Sequence, residues 1–176
     1  MMLAVTYGAA MKINERDPRE VSGYLIVFST PQQPDLTGDY FDANTDFGPA
    51  RETPVWLNHT LPIRSGVAVV HIEEPIGSGA LDVDERGVII RALLDAKYRY
   101  LAEIASDLGW SSGTAAHLVR RVQVGAAKRI ARWPLGIDAS LTPMPAEPRT
   151  MLIRPAAKTL ARQVGTKVLI IHRRLQ

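Results

Sequence analysis

Short runs of strand-forming residues, cut apart by turn residues and without any alternation of strands and helices, dominate this chain. Tyr24-Leu25-Ile26-Val27-Phe28, Thr53 to Leu57, Gly66 to Ile72, Gly79 to Val83 and Val88 to Leu94 each read as a strand. Asp84-Glu85-Arg86-Gly87 has the composition of a hairpin turn. Gln32 to Asp46, with its prolines, aspartates and Gly38, reads as a long loop. From Asp95 the period changes: Tyr98, Leu101, Ala102, Ala105 and Leu108 recur at helical spacing, with Asp95 placed to cap the start and Gly109 to stop the end. Thr114 to Val124, Lys128 to Trp133 and Ile137 to Thr142 return to extended patterns. A doubly wound parallel sheet needs a repeating β-α rhythm that this chain lacks. The pattern predicts an α+β, mainly β fold, a small antiparallel β-barrel with peripheral helices.

A chain of 176 residues suits one domain with a real core. Pro143, Pro145 and Pro148 break the compact pattern, which divides the chain into a domain over residues 1–148 and a basic extension over 149–176. Charge is unevenly spread. Residues 1–114 hold 9 Lys/Arg against 16 Asp/Glu, and residues 115–176 hold 12 against 2. Two readings follow: the acidic and basic parts fold against each other, or the basic end meets an acidic partner. The extension has a helical pattern around Ala156 to Val164 and an apolar run, Val168 to Ile171. That run would either add a strand to the barrel or help dock the chain on a partner. No apolar run is long enough to span a bilayer, and Met1 to Ala10 lacks the basic start of a signal peptide. Without cysteine the chain has no disulfide, no thiolate metal site and no thiol nucleophile.

Gly109-Trp110-Ser111-Ser112-Gly113 therefore draws attention as a hydroxyl nucleophile segment. Flanking glycines would let a tight turn present Ser111 outward. A hydroxyl is a weak nucleophile without a base, and His59, in Trp56-Leu57-Asn58-His59, is a candidate. Acyl transfer also asks for a group that orients the imidazole and for oxyanion donors, which backbone N–H groups after Ser111 would supply. Asp138, in an otherwise apolar strand, is the natural orienting group; an edge-strand aspartate facing water is the plain alternative. His117 is a rival for that role, and His71 reads as a strand residue without one. Ser111, Asp138 and His172 also run in α/β-hydrolase order, but that fold needs a strand before the serine where this pattern has a helix. Asp35, Asp39, Asp42 and Asp46 resemble a calcium loop only superficially, since Tyr40 stands where glycine is required. No metal site is expected, and no phosphate-binding glycine loop is present.

From Val21 to Pro148 the chain resembles the prohead protease family of tailed phages, serine proteases of capsid maturation related to herpesvirus assemblins. The matching landmarks run in order: Gly23-Tyr24, Asp35-Leu36-Thr37-Gly38-Asp39-Tyr40-Phe41, Pro54-Val55-Trp56-Leu57-Asn58-His59, Gly109 to Thr114, and Trp133 to Pro148. The resemblance implies an assemblin-like barrel, a serine nucleophile with a histidine base, and no cofactor. The family's Ser-x-Gly register selects Ser111 over Ser112. Asp138 falls where the family often has glutamate. Implied substrates are scaffold and major capsid protein precursors, cleaved inside the prohead in the host cytoplasm, with self-association and without specific nucleic-acid or membrane binding. Two other readings remain open: a catalytically silent head-assembly protein that binds scaffold, and a small serine esterase.

Overall fold

The structure, a computed structural model, describes Lys12–Ile13 and residues 17–150. The strands are β1 (Lys12–Ile13), β2 (Glu20–Val27), β3 (Asp39–Tyr40), β4 (Glu52–Leu57), β5 (Ile63–Ser65), β6 (Ala68–Val70), β7 (Gly77–Val83), β8 (Gly87–Leu94), β9 (Gly109–Gly113), β10 (Arg120–Val124), β11 (Ala127–Arg132) and β12 (Asp138–Thr142). The main sheet has the order β1-β2-β8-β7-β4-β12-β9. It curls until β2 and β9 lie against each other, giving a nearly closed six-stranded barrel with few helices. A small sheet, β10-β11-β3, and the hairpin β5-β6 flank it.

Period-two patterning produces the barrel. In β8, Ile90, Ala92 and Leu94 are buried while Arg91 and Leu93 face out. Ile90 and Leu94 each contribute about 1.5–3 kcal/mol through removal from water. The β7–β8 hairpin closes where expected, with the Asp84 N–H donating to the Gly87 carbonyl. Gly87, at φ +155°, lies against the Ile26 carbonyl of β2 where a side chain would collide.

Several expectations need correction. The sheet is mixed, not wholly antiparallel: β12 pairs with β4 in parallel, and β11 with β3. Sequence patterning cannot reveal this, because strand direction depends on the path of the connections. Of the strand read over Gly66 to Ile72, only β6 (Ala68–Val70) is extended; Gly66, with φ +58°, is the turn that joins it to β5.

The helical stripe is real but does not make one helix. Tyr98, Leu101, Ala102, Ala105 and Leu108 are all buried. The backbone, however, breaks into 3₁₀ turns at Ala96–Tyr98 and Ala105–Asp107 around a four-residue α-helix, α1 (Tyr100–Glu103). So short a helix has little stability of its own, and packing on the barrel sets its path. Gly109 opens β9 rather than capping a helix, so Ser111 lies within a strand instead of on a tight turn. Thr114 to Val124 is likewise interrupted by a 3₁₀ turn, Ala116–Leu118.

The acidic and basic parts do meet. Asp39 pairs with Arg121 at 2.8 Å, Asp42 with Arg129 at 3.5 Å and Asp46 with Arg132 at 3.4 Å, tying the long loop to β10 and β11. These aspartates are thus engaged by arginines, and among the described residues no acid or histidine cluster could hold a metal. Arg149 and Thr150 belong to the fold: Arg149 reaches Ser29 at 3.0 Å, and the Thr150 hydroxyl donates to the Trp110 carbonyl at 2.8 Å. The remaining extension, with its helical pattern, apolar run and His172, lies outside the described residues. No helix of the described residues is long and apolar enough to cross a membrane.

Candidate active site

Strand β12, Asp138-Ala139-Ser140-Leu141-Thr142, lies between β4 and β9 and is not an edge. Its alternation is unusual for an internal strand. Ala139 and Leu141 enter the core, while Asp138, Ser140 and Thr142 form a polar face. Ser140 and Thr142 are nevertheless almost fully buried. What covers them is the segment carrying His59.

That segment leaves the end of β4. Parallel register sets Leu57 beside Leu141, so a straight continuation would carry residue 59 beyond the end of β12. Instead Asn58, His59 and Thr60 all adopt left-handed backbone, at φ 49°, 54° and 61°. The chain bends back over β12. Asn and His tolerate this region better than most residues, but a β-branched threonine does so rarely. Left-handed backbone costs an L-residue roughly 1–2 kcal/mol. Side-chain and backbone bonds offset the cost. The His59 N–H donates to Ser140 Oγ at 2.9 Å, and Thr142 Oγ1 donates to Asn58 Oδ1 at 2.7 Å. Asn58 Nδ2 donates to the Leu61 carbonyl at 3.0 Å, and His71 Nε2 donates to the Thr60 carbonyl at 2.8 Å. Each such bond contributes about 0.5–1.5 kcal/mol, so the four together are comparable with the strain.

The bend sets the His59 ring against Asp138, Nδ1 to Oδ2 at 2.6 Å. An ionised carboxylate can only accept, so Nδ1 carries the proton and the neutral ring keeps its lone pair on Nε2. The other carboxylate oxygen, Oδ1, accepts the Ser140 hydroxyl at 2.7 Å. Ser140 therefore holds both the aspartate and the backbone of the histidine. The ring and the carboxylate are 30% and 19% exposed, which leaves the dyad reachable from outside.

Strand β9 brings Ser111 to the same face. Antiparallel register sets Ser111 opposite Ser140 and Gly113 opposite Asp138, and directly opposed residues share a face of the sheet. Gly113 has to lack a side chain: a Cβ there would meet Asp138 Oδ2 at 2.5 Å. The second glycine of Gly-x-Ser-x-Gly thus makes room for a carboxylate rather than a turn. Ser112, one residue on, belongs to the opposite face and accepts the Trp133 indole N–H at 3.1 Å. Among the described residues, Ser111 Oγ makes no hydrogen bond. Catalytic contacts of this kind are often open before substrate binds. His117 sits exposed on its 3₁₀ turn, and it is Asp138 that bonds the His59 ring.

Sequence reasoning missed Ser140, Thr142 and Asn58, gave His71 no role, and read Gly113 as a turn glycine. His71 lies just past β6 and braces the histidine turn. One signal was available: Asp-x-Ser-x-Thr gives a buried strand a polar face, and such a face needs partners.

Fold and site together define a mainly β barrel protein that gathers a serine, a histidine and an aspartate on one sheet face. Comparison with protein-family models, with curated proteins and with solved structures finds no match.

Proposed function

We propose that the chain is a serine endopeptidase, of the kind that trims scaffold and capsid precursors within a maturing phage prohead. The observation that carries the chemistry is the His59–Asp138 bond on a strained turn, on the same face as Ser111. Ser111 Oγ attacks the scissile carbonyl carbon as its proton passes to His59 Nε2. The tetrahedral adduct collapses, the C–N bond breaks, and His59 returns the proton to the leaving amine. Water, deprotonated by the same nitrogen, then releases the acyl group and restores Ser111. Asp138 holds the tautomer and stabilises the imidazolium. The prohead setting and its substrates rest on the ordered sequence landmarks.

A second reading, a catalytically silent head-assembly protein, is favoured by the unbonded Ser111 hydroxyl. A fluorophosphonate probe separates the two. Stoichiometric labelling of Ser111 by intact mass, lost in Ser111→Ala and kept in Ser112→Ala, supports the enzyme. No labelling, or labelling that follows Ser112, refutes this assignment. Faster turnover of simple esters than of peptides would favour an esterase.

A further inference from the structure

A groove of about 430 Å³ opens at the seam of the barrel, between β2 and β9. That is within the ~300–1,000 Å³ range of small-ligand clefts. Leu25 and Val27 line it from β2, Trp110 from β9, and Tyr40, Phe41 and Trp133 complete an apolar wall. Ser111 also lines it. Strand β9 ends the main sheet, with β12 as its ladder partner, so its other side faces this seam.

Charges at the groove are largely matched within the protein. Arg121 is bonded to Asp39 at 2.8 Å, Glu147 is paired with Arg149, and Asp35 Oδ1 accepts from Thr37 and from the Asp39 N–H. Lys128 is exposed. An acidic or basic side chain entering the groove would leave water without a buried counter-charge waiting for it, whereas an apolar one gains by desolvation. The indole N–H of Trp110, wholly buried, has no acceptor among the described residues.

We propose that this groove is a specificity pocket for the side chain on the acyl side of the scissile bond, and that it selects a large apolar residue of the Phe, Leu or Met class. The inference rests on the protease reading. Its geometric basis is that Ser111 itself lines the groove on the unpaired side of β9, beside Trp110 and across from Leu25 and Val27 of β2, so a peptide carbonyl at Ser111 sets the adjoining side chain at the seam.

The test uses end-blocked fluorogenic peptides, identical except for Phe, Leu, Ala, Glu or Lys at that position, and the full chain. Phe and Leu should exceed Ala in kcat/KM by about tenfold or more, the discrimination expected when a pocket gains or loses apolar contact. Glu and Lys should fall at or below Ala. Val27→Trp, which narrows the groove, should cut the Phe-to-Ala ratio about tenfold. A preference for Ala, Glu or Lys overturns the pocket, as does an unchanged ratio in Val27→Trp. A binding measurement is independent of turnover. In Ser111→Ala, the Trp110 and Trp133 indole N–H resonances should shift with the Phe peptide and not with the Ala peptide. Absence of that difference overturns the pocket even if cleavage occurs. Binding with no cleavage or labelling by the unaltered protein would keep the groove and refute the protease reading.

Discussion

Gly113→Ala is the sharpest perturbation that the site offers, because it introduces one methyl group at a known place. The added Cβ would lie 2.5 Å from Asp138 Oδ2, 3.0 Å from Cγ and 3.1 Å from Cβ. Ordinary van der Waals contact begins at 3.4 Å, so the carboxylate oxygen has to retreat by about 0.9 Å. That oxygen bonds His59 Nδ1 at 2.6 Å, and a retreat of that size carries the pair out of good hydrogen-bond range. Gly113 has no positive φ, so the substitution acts by contact and not by backbone strain. Overpacking of this kind costs about 1–3 kcal/mol of stability. A displacement near 1 Å in a catalytic group costs about 10²-fold in rate. Chemical denaturation followed by tryptophan fluorescence measures the first, and steady-state peptide hydrolysis the second. The rate loss should fall on kcat, with KM little changed, since no substrate contact is altered. Asp138→Asn, which keeps the shape but favours the wrong tautomer, should lose about 10⁴-fold. Gly113→Ala combined with Asp138→Ala should recover most of the stability and none of the rate. A Gly113→Ala variant with unaltered kcat would show that Asp138 does not orient His59 in catalysis, and the argument would fail.

Three further outcomes are expected. Ser140→Ala leaves the half-buried His59 N–H without its acceptor and removes one bond to Asp138, so it should cost about 1–3 kcal/mol in denaturation and lower kcat more than it raises KM. Thr60→Gly relieves roughly 1–2 kcal/mol of left-handed strain against about 0.5–1 kcal/mol of added chain entropy, so melting should show stability unchanged or slightly raised while kcat falls as His59 loosens. Burial, and then the hydrogen bond to Glu74, push the Tyr98 hydroxyl well above the usual tyrosine range. The folded state thus holds that proton more tightly than the unfolded state. Its contribution is whole below pH about 10 and is lost as pH rises from there, so Tyr98→Phe should flatten the alkaline part of a stability-versus-pH curve.

Much of this molecule is written locally. Alternation in Gly87–Leu94 and the Asp84 to Gly87 turn specify a hairpin whatever else surrounds it, since one face of each strand must leave water. The buried stripe from Tyr98 to Leu108 was equally visible, though packing rather than intrinsic propensity chose its backbone. Ser111, His59 and Asp138 could be singled out from residue type and order alone. Their geometry could not. Left-handed backbone at three successive non-glycine residues opposes local preference, and Ser140 and Thr142, 81 and 84 residues away in sequence, help to hold it. The parallel pairing of β4 with β12, the choice of Ser111's face over that of Ser112, and the need for a bare Gly113 opposite Asp138 all depend on which strands become neighbours. Side-chain chemistry and strand period are properties of short segments. Neighbour, direction and register are fixed only when distant segments close on one core, and the histidine turn exists because that closure supplies bonds comparable with its strain.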